Sequence, residues 1–325
     1  PPVGVPAATV TPLNRATELR SQPETLAAME RHARFVVLRG TQVLMKAGST
    51  TEPHFLTYDE VDALHGAPRE GVTSFLGIDS DRDGTPFFGL DLPPDTDHPE
   101  PLPFADTRTS APLFSPADNA RVLHATALAQ WQRRSSFCAA CGAPADLVDG
   151  GTARRCSSCG VPSWPRQDPS IIAAVSSRCG EKILLANSPR HPPGLHTVLA
   201  GFVEVGETYE AAVAREAFEE TGVVVDEGSP TYIGSQPWPF PQSSMIGFTA
   251  TADHTSPLVL QEEEILAAQW FDRGQVERAA AVKGATMQPE VVKKALEDDP
   301  QLELLIPPKG VIARKLIDTW LDRKQ

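Results

Sequence analysis

The chain has 325 residues, which at about 100 to 200 residues per domain predicts more than one domain. Apolar residues make up 41% of the chain and charged residues 22%, a balance that excludes global disorder. Twenty-nine Lys and Arg against 42 Asp and Glu leave a net charge of −13, which argues against bulk electrostatic binding to nucleic acid. The longest aliphatic run spans only residues 171–175, too short to cross a bilayer. We therefore expect a cytoplasmic protein without a membrane partner.

Residues 1–130 are predicted to form an N-terminal mixed α/β domain. Short apolar runs at 35–38 and 87–90 are separated by Pro, Gly and Asp clusters, which is typical of strands divided by turns. The proline-rich stretch 91–104 predicts a loop, and the apolar spacing over 117–134 predicts a helix. No internal repeat is detectable in the sequence.

Four of the five cysteines predict a zinc ribbon over residues 131–165. Two C-x2-C pairs, Cys138 with Cys141 and Cys156 with Cys159, are separated by 14 residues. Each pair can present two thiolates from one tight turn, and together they complete a tetrahedral sulfur shell suited to one structural zinc ion. Four buried, reduced cysteines are the alternative. Cys179 is left as an unpaired thiol.

Arginines bracket the predicted ribbon at 133–134 and 154–155, and a zinc ribbon can bind nucleic acid. The alternative is a solvated basic face in an acidic chain. We favour the solvated face, because no aromatic residues are interleaved with these charges.

Residues 166–325 are predicted to form a second α/β domain. Apolar patterning predicts strands at 171–176, 182–186, 223–225 and 245–250, a helix at 209–221 and a last helix at 311–323. Thr208 is suited to cap the first of these helices, and Gly222 to end it.

Three carboxylates crowd one face of the predicted helix 209–221. Glu216, Glu219 and Glu220 stand at positions i, i+3 and i+4, where like charges destabilise a helix unless cations lie between them. Hard oxygen ligands favour Mg²⁺ or Mn²⁺, and Arg215 can pair with Glu207 or Glu219. A solvated acidic face is the alternative.

The spacing G-x5-E-x7-R-E-U-x-E-E-x-G-U, where U is aliphatic, resembles the motif of the Nudix hydrolases. The sequence is similar to it at every fixed position, with Ala217 as a small residue at the first aliphatic position; the matching residues are Gly201, Glu207, Arg215, Glu216, Glu219, Glu220 and Gly222. The resemblance implies an α/β/α sandwich around a mixed sheet. It also implies hydrolysis of a nucleoside diphosphate linked to another group.

The catalytic set follows from this resemblance together with the chemistry of diphosphate hydrolysis, which needs divalent cations and a carboxylate that activates water. Glu216 and Glu220 are predicted metal ligands, and Glu219 shares metal or acts as the base. Arg215 is predicted to hold a carboxylate in place. The resemblance further implies more than one Mg²⁺ or Mn²⁺, with the Ala200 carbonyl and a later acidic residue as ligands. Glu264 fits that later position, with Glu263 as its close competitor.

A proline-rich segment at 235–243 is predicted to be a rigid loop that selects the substrate. Its aromatic rings can stack on a base, and its polar side chains can bond around it. The predicted substrate-binding residues of this segment are Gln236, Pro237, Trp238, Pro239, Phe240, Pro241, Gln242 and Ser243. A proline-rich peptide for a partner domain, or a wall of the core, is the alternative. The segment resembles, letter for letter, one found in the NADH pyrophosphatase subfamily.

The subfamily resemblance implies hydrolysis of NADH or NAD to nicotinamide mononucleotide and AMP, removal of NAD caps from RNA 5′ ends, and a homodimer. It implies that Trp164 stacks on substrate and that Ala313 contacts it through the backbone. Two other functions stay open: a zinc-ribbon nucleic-acid-binding protein whose Nudix domain senses a ligand, and a diphosphatase for another nucleotide such as ADP-ribose.

Overall fold

The computed structural model describes residues 13–65, 72–79, 83–93, 102–284 and 286–323. These fold into two compact units. The first holds the N-terminal part through residue 167 together with 239–242, and the second holds 168–238 and 243 onward. Within the described ranges, no helix has both the length and the apolar character that a bilayer crossing requires.

The helices and strands are numbered along the chain. The helices are α1 Pro23–Glu30, α2 Tyr58–His65, α3 Thr107–Ser110, α4 Pro116–Arg134, α5 Tyr209–Thr221, α6 Arg273–Ala281, α7 Pro289–Asp298 and α8 Ile312–Asp322. The strands are β1 Leu13–Asn14, β2 Arg34–Arg39, β3 Gln42–Leu44, β4 Phe55–Thr57, β5 Val72–Asp79, β6 Thr85–Leu92, β7 Phe104–Asp106, β8 Ala145–Val148, β9 Ala153–Cys156, β10 Pro162–Ser163, β11 Asp168–Ser177, β12 Lys182–Asn187, β13 Leu199–Phe202, β14 Thr231–Trp238, β15 Ser243–Ala252 and β16 Ala267–Asp272.

The second unit is an α/β/α sandwich around a mixed sheet of order β14-β15-β11-β12-β16, with β13 paired to β11. Strand β11 is buried on both faces, which explains its continuous apolar run. Ile171 and Ala173 pack with α5 on one face, whereas Ile172 and Ala174 pack with α6, α7 and α8 on the other. The predicted sandwich is confirmed.

The first unit contains a second sheet with the same strand pairing. Its order is β1-β5-β6-β2-β3-β7, with β4 paired to β2; apart from the short β1, this matches β14-β15-β11-β12-β16 with β13 on β11. In both sheets the central pair is parallel. The corresponding strands β5 and β14 also share an irregularity of register, between Phe75 and Gly77 in one and between Tyr232 and Gly234 in the other. No repeat is detectable in the sequence, although the two units share one arrangement of strands.

The two copies differ where the second carries its carboxylates. In the second unit six residues separate β13 from α5, which has 13 residues, whereas α2 follows β4 directly and has eight described residues. The first copy therefore has no counterpart of the loop that leads into α5.

Most predicted elements are confirmed, including the helix predicted at 117–134, which is α4. The predicted strand at 223–225 is wrong, because only Val225 forms a bridge, to Ala252. The predicted loop at 235–243 is wrong for 235–238, which belong to β14. Strand β14 lies at the sheet edge, where a proline is tolerated because no donor is missed on the open side. Residues 94–101 of the predicted loop 91–104 lie outside the described part.

A glycine turn of the zinc-ribbon segment packs against the N-terminal sheet. Strands β8 and β9 form a hairpin whose tip contains Gly151, with φ of +80°. A Cβ on Gly151 would lie 2.7 Å from the Thr73 carbonyl oxygen and 3.0 Å from Ser74 Oγ. Gln132 of α4 donates to the Gly151 carbonyl and, at 2.7 Å, to Ser74 Oγ. The hairpin tip, β5 and α4 therefore meet at one point.

Replacing this glycine should loosen the first unit. We expect Gly151→Ala to lower the free energy of unfolding by about 2 to 4 kcal/mol, because it adds a steric clash to left-handed backbone strain. Gly84→Ala is the matched control: its φ is +75°, but the added Cβ meets only Ile78 Cγ2 at 3.9 Å, so about 1 kcal/mol is expected. Urea unfolding followed by circular dichroism checks both, and equal losses would contradict this packing.

Candidate active site and metal centres

Helix α5 presents its glutamates because its ends and buried face fix its position. Thr208 Oγ1 accepts from the Ala211 amide at 3.2 Å, and Gly222 ends the helix with φ of 72°. Ala212, Val213 and Ala217 pack into the core. Glu216 and Glu220 then lie at the edge of the buried face, 9% and 5% exposed, and Glu219 is exposed.

Arg215 is bonded to all three neighbouring carboxylates of the motif. Its Nε and Nη2 donate to Glu207 at 2.8 and 2.9 Å, and its Nη1 donates to Glu216 at 2.9 Å and to Glu219 at 2.8 Å. Nη2 also donates to the Phe202 carbonyl at 2.8 Å. The sequence predicted a pairing with Glu207 or Glu219, and the structure shows both. These bonds, led by the pair with Glu207, raise the pKa of Arg215 and lower that of Glu207.

Glu220 is the least compensated group of the site. Burial, reinforced by the charges of Glu216 and Glu264, raises its pKa to about 8, and burial likewise raises the pKa of Glu216. Glu220 Oε2 is buried and has no hydrogen-bond partner. A bound cation would favour the ionised carboxylates and complete their coordination. The donor set therefore fits Mg²⁺ or Mn²⁺.

Glu264 is brought to the carboxylates by the backbone that follows β15. Gln261 donates its amide to the Glu220 carbonyl at 3.1 Å and accepts from the Glu264 amide at 2.9 Å. The negative charge of Glu264 contributes to raising the pKa of both Glu216 and Glu220. This segment thus carries the additional carboxylate to the end of α5, as a ligand at that position requires.

Gly201 makes room for Glu216. It lies in β13 beside Ala200, which pairs with Ile172 of β11. A Cβ at Gly201 would overlap the Glu216 carboxyl group. The first glycine of the motif is therefore required because the Glu216 carboxylate occupies the space of a side chain. A turn does not require it, since the φ of Gly201 is not positive.

Two residues near the glutamates were not predicted from the sequence. Phe202 ends β13 with its ring 57% exposed while Arg215 holds its carbonyl, and an aromatic directly after the motif glycine was the available signal. Arg190 lies in the turn after β12, and its positive charge lowers the pKa of Glu220, against the effect of burial. Only its basic charge in a proline-rich turn could have indicated it.

The predicted substrate-binding residues differ in how far the fold itself uses their side chains. Both ends of the Gln236 side-chain amide are hydrogen-bonded to backbone: its Nε2 donates to the Gly310 carbonyl at 2.9 Å and its Oε1 accepts from the Ile312 amide at 2.8 Å. It therefore fixes the start of α8 beside Ala313, which is buried. Trp238 packs partly buried against the α8 side of the second unit. Ser243 begins β15 and is buried, and Pro237 pairs with Ser244.

Residues 239–242 group with the first unit, where Phe240 packs against the core under α4. These four positions are Pro239, Phe240, Pro241 and Gln242. Trp164, just after β10, is 59% exposed. Of the predicted rings, Trp164 thus keeps the most open face, whereas Trp238 and Phe240 are partly used in packing.

The four cysteines converge as a zinc site requires. Their sulfur atoms all lie within 4.8 Å of one another, and three pairs are 3.5 to 3.7 Å apart. A tetrahedral shell with Zn–S bonds of about 2.3 Å has sulfurs roughly 3.8 Å apart. Matching turns place them: Gly142 donates to the Cys138 carbonyl at 2.9 Å and Gly160 to the Cys156 carbonyl at 3.2 Å. All four thiolates are used, so the zinc is structural.

Two of the four arginines beside the ribbon form hydrogen bonds within the protein. Arg133 pairs with Asp91 at 2.6 Å and donates to the Gly40 carbonyl at 2.8 Å. Arg154 donates to the Gln132 carbonyl at 2.9 Å. The nucleic-acid alternative thereby loses half of its proposed basic surface.

Three family models match consecutive parts of the chain. An NADH pyrophosphatase-like rudimentary NUDIX domain matches residues 32–131, the NADH pyrophosphatase zinc ribbon domain matches 133–162, and the NUDIX domain matches 167–291. The chain therefore contains a Nudix domain at residues 167–291. The rudimentary domain coincides with the N-terminal sheet that repeats the Nudix strand pairing, and we refer to the second unit as the Nudix unit.

Curated relatives are named NAD-capped RNA hydrolase NudC. The relative from Haemophilus influenzae (strain PittGG) is 43% identical over 57% of this chain and 60% of its own length. The relative from Pasteurella multocida is 45% identical over 57% and 59%, and that from Stutzerimonas stutzeri is 46% identical over 46% and 52%. The chain thus spans about three fifths of the length of the first of these relatives.

Solved structures that match part of the chain include a NUDIX hydrolase from Nitrosomonas europaea, at 21% identity and a TM-score of 0.37 over 53% of this chain and 97% of that one. A MutT/nudix family protein from Enterococcus faecalis matches at 21% identity and a TM-score of 0.32, over 44% and 68%.

Enlarging Gly201 should displace Glu216 and weaken cation binding. We expect Gly201→Ala to lower Mn²⁺ affinity by about tenfold or more, because the displaced Glu216 carboxylate is a predicted ligand of the cation. Gly206→Ala, in the loop that follows β13, is the control: its φ of +85° strains an alanine, but the added Cβ has open space and displaces no carboxylate. Titration by electron paramagnetic resonance checks this, and equal Mn²⁺ affinity in the two variants would contradict the steric argument.

Removing a zinc ligand should affect stability first. We expect Cys138→Ser to lose the zinc measured by atomic absorption and to lower the melting temperature of the first unit, because structural zinc contributes directly to folding. Cys179→Ser is the control, since Cys179 is exposed and its sulfur lies 3.3 Å from Ser177 Oγ rather than among the four ribbon cysteines. A zinc-free Cys138→Ser protein that melts like the control would show that the site is not structural.

Proposed function

We propose that this chain is a metal-dependent hydrolase of the diphosphate bond of NADH and NAD, giving nicotinamide mononucleotide and AMP, and that it removes NAD caps from RNA 5′ ends. The observation that carries the proposal is the carboxylate cluster of α5, in which Arg215 orders Glu216 and Glu219 and the Glu220 oxygen is left without a partner. The names of the relatives and the NADH pyrophosphatase domain models support the substrate.

The roles of the carboxylates follow from their burial. Glu216 and Glu220, which are buried, are the proposed ligands of Mg²⁺ or Mn²⁺, together with Glu264 and the Ala200 carbonyl. Such cations neutralise charge on the diphosphate oxygens and acidify bound water. Glu219 is exposed, so it can position a water molecule or share a cation. When the water oxygen bonds to one phosphorus and the bridging P–O bond breaks, a carboxylate of this set accepts the water proton.

Arg215 acts through the carboxylates rather than on the substrate. Its guanidinium is occupied by Glu207, Glu216, Glu219 and the Phe202 carbonyl. This arrangement holds Glu216 and Glu219 in fixed orientations and ties the preceding loop to α5. Preorganisation of this kind reduces the cost of aligning ligands during turnover.

Substrate contacts are proposed for the exposed rings and for the start of α8. Phe202 offers an open aromatic face next to the carboxylates, and Trp164 stays a predicted stacking residue. Gln236 orders the backbone around Ala313 and thereby supports the predicted contact at that position. The remaining residues of 237–243 form the hairpin that carries this arrangement.

Assembly and location extend the proposal. A homodimer is inferred from the resemblance to the subfamily. The cytoplasm is inferred because a site of four thiolates needs a reducing compartment.

Neutralising a carboxylate tests the proposal. We expect Glu220→Gln and Glu219→Gln to lower NADH turnover by about 100-fold or more while circular dichroism stays unchanged. Glu210→Gln, at an exposed position in the first turn of the same helix, should keep its activity. NADH, NAD, NAD-capped RNA and ADP-ribose are compared at matched concentrations with Mg²⁺ and with Mn²⁺. Undiminished turnover in both variants would overturn the catalytic assignment, and preference for ADP-ribose would overturn the substrate.

A further inference from the structure

Ser170 is a buried serine of β11 whose hydroxyl bonds to the strand that precedes the carboxylate loop. It is 6% exposed, and its Oγ donates to the Gly201 carbonyl of β13 at 3.0 Å. In the register of the two strands Ser170 pairs with Phe202, so the bond crosses to the residue next to its partner. It therefore ends beside Ala200, whose carbonyl is a proposed ligand of the catalytic cations.

The bonds between β11 and β13 show which carbonyls of β13 face its partner. In an antiparallel pair every second residue directs both its N–H and its C=O at the neighbouring strand. Gly201 is such a residue, because Ser170 bonds its carbonyl. Val203, two residues later, follows the same alternation and donates its amide to the Pro169 carbonyl of β11 at 3.1 Å. The residues directly before and after Gly201 therefore direct their carbonyls away from β11.

The side of β13 that faces away from β11 is the side that α5 reaches with its charged groups. Arg215 of α5 donates to the Phe202 carbonyl at 2.8 Å. The Ala200 carbonyl, two residues earlier, lies on the same side of the strand. The Glu216 carboxyl group meets β13 between these two residues, at Gly201. The Ala200 carbonyl is thus directed to the side of the carboxylates, as a ligand of the same cations must be.

Strand β13 has few other restraints on its position. It has four residues, and among the strands of the described ranges it pairs with β11 alone. A backbone carbonyl has no side-chain torsion with which to adjust, so its distance to a cation depends on where the strand lies. Metal–oxygen bonds of about 2.0 to 2.6 Å tolerate little displacement of a ligand. A buried hydroxyl that bonds the adjoining carbonyl restrains that displacement, as outer partners of metal ligands do.

We propose that Ser170 is a positioning residue of the metal centre, which bonds Gly201 and thereby holds β13 where the Ala200 carbonyl can bind the cations of the α5 site. In this role Ser170 contacts neither cation nor substrate. The inference rests on the proposed function, since it concerns the cations of the same site. Mn²⁺ binding and NADH turnover of the wild-type protein test that function separately.

The test compares Ser170→Ala with Ser176→Ala, a matched control in the same strand. Ser176 is 5% exposed, and its Oγ also donates to a strand carbonyl, that of Ala250 at 3.4 Å, but that carbonyl belongs to β15, which carries no proposed cation ligand. Mn²⁺ is titrated by electron paramagnetic resonance without substrate, and NADH turnover is then measured against Mn²⁺ and against NADH.

We expect Ser170→Ala to raise the Mn²⁺ dissociation constant by about fivefold. The Mn²⁺ concentration for half-maximal turnover should rise by a similar factor, while the KM for NADH at saturating Mn²⁺ stays within about twofold of wild type. Ser170→Thr, which keeps the hydroxyl, should recover most of the Mn²⁺ affinity. Ser176→Ala should stay within about twofold of wild type in all three quantities.

Thermal unfolding without metal separates positioning from general stability. Each alanine variant loses one hydroxyl bond between strands, so both melting temperatures should fall by about 2 to 4 °C. Equal Mn²⁺ affinity in the two alanine variants would overturn the proposal. A raised KM for NADH with unchanged Mn²⁺ affinity would also overturn it, because Ser170 would then act on substrate binding. Wild-type protein that binds Mn²⁺ without hydrolysing NADH would contradict the proposed function, whereas the Mn²⁺ titration of the variants still decides the role of Ser170.

Discussion

The Nudix unit depends on one electrostatic constraint: three glutamates must share one helix face although the repulsion between their charges destabilises the helix. Arg215 meets part of this requirement by bonding Glu216 and Glu219 while it anchors Glu207 of the preceding loop. It does not reach the Glu220 oxygen that remains unpartnered. The arrangement therefore holds the carboxylates in place and leaves a demand for positive charge, which divalent cations can satisfy.

Gly201 and the caps of α5 serve the same constraint. The missing side chain at Gly201 leaves the space that the Glu216 carboxyl group occupies. Thr208 and Gly222 fix where the helix begins and ends, so that Glu216 meets β13 at Gly201. In the N-terminal copy of the fold, α2 follows β4 directly, without such a loop.

The sequence predicted the parts of the fold that depend on local signals. Helix α5 was predicted with its observed bounds because a capping threonine and a terminal glycine mark its ends, and the cysteine spacing alone indicated the zinc ribbon. The strand character of 235–238 was missed because three prolines indicate a loop, whereas an edge strand tolerates Pro237. The doubled fold was invisible because the two copies share strand pairing and the bulges at Gly77 and Gly234, not residue identity. Gln236 stays a predicted substrate-binding residue, and its hydrogen bonds to Gly310 and Ile312 at the start of α8 depend on tertiary contacts that no local pattern shows.

The central claim is that the α5 carboxylates hold the catalytic cations. Anomalous diffraction at the manganese edge, from crystals grown with MnCl₂, locates those ions directly. The account predicts peaks bonded at roughly 2.0 to 2.3 Å by oxygen atoms of Glu216 and Glu220, with Glu264 or the Ala200 carbonyl completing the set. Manganese found only on the exposed carboxylates at 262–263, with none at α5, would contradict it.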